Sequence, residues 1–323
     1  MLNDLATINQ IRSAILAAEK ILIVGHPDPD ADALGSIVSF GQYLKSLNKS
    51  YQLFSVDLPA ANYQFLPHLE EISNDQAVFA QDFDLVIVCD SSDLDYAGIK
   101  NLLPKIPVKF KLINIDHHDT NNYFGDLNLV EKDMSSTSEI IYHLLKVWRF
   151  PITKEVATLI LNGLVGDTNM FSNPATTFSA LNTAGHLLNL GARHKEINHN
   201  FLRNKNLNML KIWGRAFERL QFNAKYNLAF TVLSADDFKE LETDGLAVSG
   251  LSNFFCDLAG AKASLVLMEH KPGEIKGSFR TVEDDVDVAR LARALGGGGH
   301  KKAAGFTAKG RLVYNNHTWQ ITD

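Results

Sequence analysis

Cysteine is scarce in this chain: Cys89 and Cys256 are the only two in 323 residues. They lie far apart and in apolar surroundings, which reads as two reduced core thiols of a cytoplasmic protein, not a disulfide scaffold. No apolar run approaches the roughly 18 residues of a membrane span, so none is expected. The N-terminus lacks the basic start, apolar block and small-residue cleavage site of a signal peptide. Met1 to Lys20 reads instead as an amphipathic helix with Arg12, Glu19 and Lys20 interspersed. Basic excess is missing too. The formal charge is −6, whereas a protein that neutralises many phosphates of a long nucleic acid is usually basic. Internal repeats and low-complexity segments are also absent.

What is present is ordinary soluble composition, 46% hydrophobic and 21% charged, enough for two packed cores at this length. The first half alternates strand and helix signals. Ile21–His26, Tyr51–Val56, Leu85–Asp90 and Lys111–Asp116 read as strands, and Ala33–Leu47 has helical spacing. Continuous apolar strands separated by helices predict a mainly parallel sheet covered on both faces. Helical patterns dominate from Thr137 to about Leu220. The last hundred residues change rhythm. Leu228–Leu233, Ala263–Glu269 and Glu274–Arg280 read as strands, Asp237–Glu242 and Val286–Leu295 as helices, and Gly296–Gly299 as a four-glycine loop. A domain boundary is expected near residues 196–216.

Ligands of open parallel sheets bind beyond the carboxyl ends of the strands. Three clusters of acids and histidines fall at such ends. In GHPDPDADALGS (25–36), Asp28, Asp30 and Asp32 crowd into five residues. Such carboxylates raise one another's pKa unless a cation joins them, and oxygen donors with imidazole suit Mn²⁺ or Mg²⁺. The same segment read alone serves equally as an acidic turn, with Asp32 capping the helix from Ala33. In VIVCDSSD (86–93), Asp90 ends a buried strand, where a carboxylate needs a partner. In NIDHHDTN (114–121), His117 and His118 follow a third strand between Asp116 and Asp119; Asp116 is placed to hold a ligating histidine. Asp167 in GLVGDTNMFSN (163–173) is weak alone and fits a helix-terminal turn. In GGGGHKKAAGF (296–306), glycine amides can form an anion nest beside His300, Lys301 and Lys302, with Arg280, Arg290 and Arg293 nearby in sequence.

Taken in order, these five motifs resemble the DHH phosphoesterase superfamily. Within it the resemblance is to the bacterial oligoribonuclease (nanoRNase) branch, which also dephosphorylates 3′-phosphoadenosine 5′-phosphate. The resemblance spans nearly the whole chain. It implies an α/β fold with an N-terminal DHH catalytic domain over 1–196, a helical linker over 197–216 and a smaller α/β DHHA1 substrate-binding domain over 217–323. It implies two divalent metal ions, Mn²⁺ with Mg²⁺ as the alternative. His26 and Asp30 would hold the first, Asp32, His117 and Asp167 the second, with Asp90 bridging. Asp28 matches no ligand position. His118 would face the substrate phosphate and Asp116 would orient His117. Ser278, Arg280, Gly297, Gly298, Gly299 and His300 match positions that grip the substrate. One departure is Asp167-Thr168-Asn169, where the family often has Asp-Thr-Gly.

The resemblance implies hydrolysis of short oligoribonucleotides to mononucleotides, and of 3′-phosphoadenosine 5′-phosphate, by a metal-activated water, with His118 exchanging protons. Expected partners are short RNA or small nucleotides, with no long nucleic acid and no membrane; a homodimer is compatible with the resemblance. The alternatives are a linear or cyclic dinucleotide phosphodiesterase, a pyrophosphatase or exopolyphosphatase-like enzyme, and a non-catalytic nucleotide-binding module.

Overall fold

The computed structural model describes residues 4–202, 206–243, 245–248, 250–256, 258–315 and 318–322; the side chain of His300, and residues 203–205 of the expected linker, lie outside the described residues. The chain divides into two compact units, Met1–Asn204 and Lys205–Asp323. No described helix is long and apolar enough to cross a membrane.

The first unit runs α1 (Leu5–Ala17), β1 (Lys20–Val24), α2 (Ala31–Ser46), β2 (Ser50–Phe54), β3 (Ile72–Ser73), β4 (Leu85–Cys89), β5 (Lys111–Asp116), β6 (Leu127–Val130), α3 (Thr137–Val147), α4 (Lys154–Asp167), α5 (Phe178–Asn189) and α6 (His194–Leu202). The six strands form one sheet in the order β3-β2-β1-β4-β5-β6, parallel throughout. Alternation explains the continuous apolar runs. Ile21, Ile23, Ile87 and Cys89 enter the core shared with α1–α4. Leu22, Val24, Val86 and Val88 enter a second core on the opposite face, with Phe54, Phe79 and Phe83. Each fully buried aliphatic side chain contributes about 1.5–3 kcal/mol, so both faces hold β1 and β4 in register.

Helix α2 starts two residues earlier than its pattern predicts. Asp30 is its cap, with Oδ1 accepting from the N–H of Asp32 at 2.9 Å and of Ala33 at 3.1 Å. Asp32 lies inside the first turn, fully buried, and is not the cap.

The second unit runs α7 (Leu207–Glu218), β7 (Gln221–Asn223), β8 (Leu228–Leu233), α8 (Ala235–Glu240), α9 (Leu251–Cys256), β9 (Ala263–Lys271), β10 (Glu274–Arg280), α10 (Val288–Ala294), β11 (Gly298–His300), β12 (Ala303–Lys309), β13 (Arg311–Asn315) and β14 (Thr318–Thr322). Its main sheet is ordered β11-β12-β10-β9-β8-β7, and β13–β14 form a separate hairpin. The four-glycine segment is not all loop: Gly298–His300 pair antiparallel with Ala303–Gly305. A Cβ at Gly297 would run into the Gly305 carbonyl, and one at Gly299 would sit 2.6 Å from the Ala303 carbonyl. The missing side chains let this edge strand close on its neighbour.

Candidate metal centre

Neighbouring strands β1, β4 and β5 end in the loop carrying His26, in Asp90 and in Asp116–His118, so three of the sequence clusters meet at one sheet edge. Helix α2 adds Asp30 and Asp32, and the last residue of α4 adds Asp167. An acid at a helix C-terminus faces the negative end of the helix dipole, a poor position for Asp167 unless a cation is near. Asp90 has φ +60°, a left-handed backbone that aspartate tolerates better than most residues.

Three donor groups form, each with one oxygen or nitrogen per residue within 4.8 Å of the others: His26–Asp30–Asp90, Asp32–His117–Asp167 and Asp90–His117–His118. Asp90 is shared. Its Oδ2 lies 3.6 Å from His26 Nε2, and its Oδ1 lies 3.8 Å from His117 Nε2. His117 Nε2 is 3.1 Å from Asp167 Oδ2. His26 Nδ1 is 2.6 Å from the Pro27 carbonyl; donating there turns the Nε2 lone pair toward the carboxylates, the usual arrangement of a ligating histidine.

The electrostatics point the same way. Burial, with the charges of Asp90 and Asp167, holds the Asp32 carboxyl well above its ordinary range. Burial also raises Asp167, and the His117 hydrogen bond offsets this only in part. Burial opposes the protonated form of His26, yet the neighbouring carboxylates of Asp30 and Asp90 push its pKa up to about 11. Among the described residues no lysine or arginine forms an ion pair with Asp32, Asp90 or Asp167. Crowded carboxylates with imidazoles, no sulfur and no fixed cation fit hard divalent ions.

One expected pairing is different. Asp116 engages His118, not His117: its Oδ1 is 2.7 Å from His118 Nδ1, and its Oδ2 accepts from Asn121 Nδ2 at 2.7 Å. Along an extended chain, residues two apart point the same way, so Asp116 meets His118 while His117 turns toward Asp90 and Asp167. Asp28 is exposed, with its N–H donating to Asp57, and belongs to none of the three donor groups. Asn169, at the expected glycine position, has φ +46° and so adopts the conformation that glycine would supply.

Several residues at the centre carry no sequence signal. The Tyr96 ring lies 5.3 Å from that of His26. Tyr63 is raised to about 12 by burial and by the charge of Asp30. Thr137 and Ser138, at the start of α3, donate to Asp32 and Asp90. A hydrophobicity pattern cannot reveal these contacts, because backbone N–H groups and scattered tyrosines look alike everywhere.

In the second unit, Ser278 and Arg280 lie on β10. Ser278 pairs with Gly305, which pairs with Gly298; Arg280 pairs with Ala303, which pairs with His300. The expected substrate-gripping residues therefore share one end of one sheet. Burial lowers the pKa of Arg280, and its Nη1 donates to the Phe279 carbonyl at 3.0 Å.

Comparison with known proteins finds a family match in each unit. Residues 20–164 match the DHH family, N-terminal domain, and residues 226–316 match the DHHA1 domain. The chain is 31% identical to the bifunctional oligoribonuclease and PAP phosphatase NrnA of Thermus thermophilus, over 90% of this chain and 84% of that one. It is 30% identical to the protein of the same name from Bacillus subtilis, over 89% and 88%. An exopolyphosphatase-related protein from Bacteroides fragilis shares the fold with a TM-score of 0.86, at 23% identity over 93% of this chain and 90% of that one.

Proposed function

The chain belongs to the DHH family, with a DHHA1 domain following, and from that premise we propose that this metal-dependent phosphoesterase hydrolyses short oligoribonucleotides to mononucleotides and also removes the 3′-phosphate of 3′-phosphoadenosine 5′-phosphate. The observation that carries this reading is Asp90, whose two oxygens face different donor groups. It fits two divalent ions: His26, Asp30 and Asp90 would hold one, and Asp32, Asp90, His117 and Asp167 the other, with Mn²⁺ the favoured ion. When bound, such ions supply a water acidic enough to attack at neutral pH and charge to balance the phosphoryl oxygens.

Hydrolysis sends a hydroxyl to phosphorus and a proton to the leaving oxygen. His118 is the residue for that proton. Burial disfavours its charged form, but the Asp116 carboxylate raises its pKa on balance. Asp116 also fixes the ring at Nδ1, which leaves Nε2 for the substrate. Asn121 holds the other oxygen of Asp116 and keeps the pair from rotating. Ser278, Arg280 and the Gly297–Gly299 segment of the second unit are the proposed contacts for the substrate's phosphate and base, through a guanidinium and backbone amides suited to anions.

The test is a product time course with Mn²⁺ on an RNA dinucleotide, a pentanucleotide, a long RNA, 3′-phosphoadenosine 5′-phosphate and pyrophosphate. Fast conversion of the dinucleotide to mononucleotides, with the long RNA nearly untouched, is expected. Pyrophosphate as the sole good substrate would keep the metal centre and overturn the nucleotide reading.

A further inference from the structure

The first turn of α3 does more than begin a helix. The Thr137 N–H donates to Asp32 Oδ2 at 2.6 Å, and the Ser138 N–H to Asp32 Oδ1 at 2.8 Å. The Thr137 hydroxyl donates to Asp90 Oδ1 at 3.0 Å. All four residues are buried, none more than 2% exposed. The early N–H groups of a helix have no partner inside it and carry partial positive charge, so Asp32 meets two donors aimed at it from another element. Each of its oxygens keeps a lone-pair direction free. The third orphan N–H, that of Glu139, is taken by the Ser136 hydroxyl at 3.1 Å, so α3 keeps its own cap.

The packing around this turn leaves no slack. The Ser138 hydroxyl lies between α2 and α4, 3.2 Å from Ser36 Oγ and 3.2 Å from the Asp32 carbonyl. A Cβ at Gly35 would sit 2.5 Å from Ser138 Oγ, and one at Gly163 would sit 2.7 Å from Asp32 Oδ1. Three helices thus converge on one carboxylate.

We propose that this turn is the brace of the metal centre, and that Thr137 is a positioning residue which orients the shared carboxylate of Asp90. The inference rests on the metal reading above but not on the identity of the substrate. If the turn served only to start α3, the Thr137 hydroxyl would be dispensable, because the backbone donors to Asp32 do not need it.

The experiment uses the full chain, freed of metal, as wild type, Thr137→Val and Thr137→Ser. Thr137→Val keeps the branched shape and the backbone N–H, and removes only the donor to Asp90. Mn²⁺ binding is measured by calorimetry and by the electron paramagnetic resonance of free Mn²⁺, and dinucleotide turnover at saturating Mn²⁺. Thr137→Val should weaken Mn²⁺ binding by about 10–100-fold, the usual cost of losing an outer partner of a ligand. It should lower kcat and leave KM unchanged, and Thr137→Ser should restore both. Wild-type Mn²⁺ affinity in Thr137→Val overturns the proposal. So does a Thr137→Ser variant as impaired as Thr137→Val, which would mark a packing role. If Thr137→Val does not fold, Thr137→Ala carries the same expectation. Weakened Mn²⁺ binding by Thr137→Val alongside a wild type that cleaves no RNA or 3′-phosphoadenosine 5′-phosphate would sink the substrate reading and leave the brace standing. A wild type that binds no Mn²⁺ overturns both.

Discussion

Each unit buries aspartate, and Asp32 in the first is treated in the opposite way to Asp237 in the second. In the second unit Asp237 is 2% exposed and fully answered. Arg215 reaches Oδ1 at 2.8 Å and Arg219 reaches Oδ2 at 2.5 Å; the Ser234 N–H and hydroxyl add two more donors. Burial works against its charge, but Arg219 and Ser234 bring its pKa below the ordinary value. In the first unit Asp32 and Asp167 are held above that value, and among the described residues imidazoles are the only titratable cations paired with the centre's carboxylates. A buried carboxylate that serves only the fold is balanced within the chain; a set left in deficit is balanced by something the chain must bind.

The sharpest way to break this contrast is at Asp90. Asp90→Ala removes the shared carboxylate and should cost turnover well beyond the ~10–100-fold typical of an outer-shell partner. Near-normal rates with saturating Mn²⁺ would refute the site. Next is Asp237→Ala, which removes the carboxylate shared by Arg215 and Arg219, leaving Arg215 with Glu240 and Arg219 with the Val232 carbonyl, and should cost about 3 kcal/mol of stability in the second unit. Trp319, with Arg219 4.9 Å over its ring, reports that unfolding by fluorescence. Because its folded pKa is depressed, the stability Asp237 contributes is present above the ordinary carboxylate value of 3.8 and is lost as pH falls below it. An acid titration of the wild type should therefore lose this contribution only below that pH.

Asp167→Asn makes the opposite substitution test. Its raised folded pKa means that the ionised group costs stability at neutral pH. The metal-free variant should therefore keep its stability or gain up to about 1 kcal/mol, while Mn²⁺ binding measured by calorimetry is lost. A loss as large as that of Asp237→Ala would erase the distinction between the units. The smallest effect is expected at Arg280→Ala: KM for the dinucleotide up about tenfold, the worth of one charged hydrogen bond, with kcat held.

The sequence reveals the parts of this molecule that repeat a simple signal. Strands β1, β4 and β5 are readable because burial on both faces makes β1 and β4 apolar runs and leaves β5 interrupted only by Asn114 between Leu112 and Ile115, and their ends carry the acids and histidines. Strand β11 is unreadable because two of its three residues are glycines, which have no strand propensity of their own. The β13–β14 hairpin hides because it buries only Leu312 fully while Tyr314 and Ile321 are exposed, so no sustained apolar alternation marks it. At the site, residue types pick out the donors, whereas partners depend on direction. Asp116 is adjacent in sequence to His117 and hydrogen-bonded to His118. The brace at Thr137 and Ser138 is built chiefly from amide protons, which every residue but proline possesses.

Gly35 and Gly163 carry this geometry into mutational history. Neither has a functional group, yet any side chain at Gly163 collides with Asp32 and Ser138, and any at Gly35 with Ser138 and the Leu159 carbonyl. Substitution at either glycine amounts to substitution at the metal centre. In a saturation scan the two should tolerate as little as the histidines do, and lineages drifting in the α2–α4 packing should change around them together or not at all.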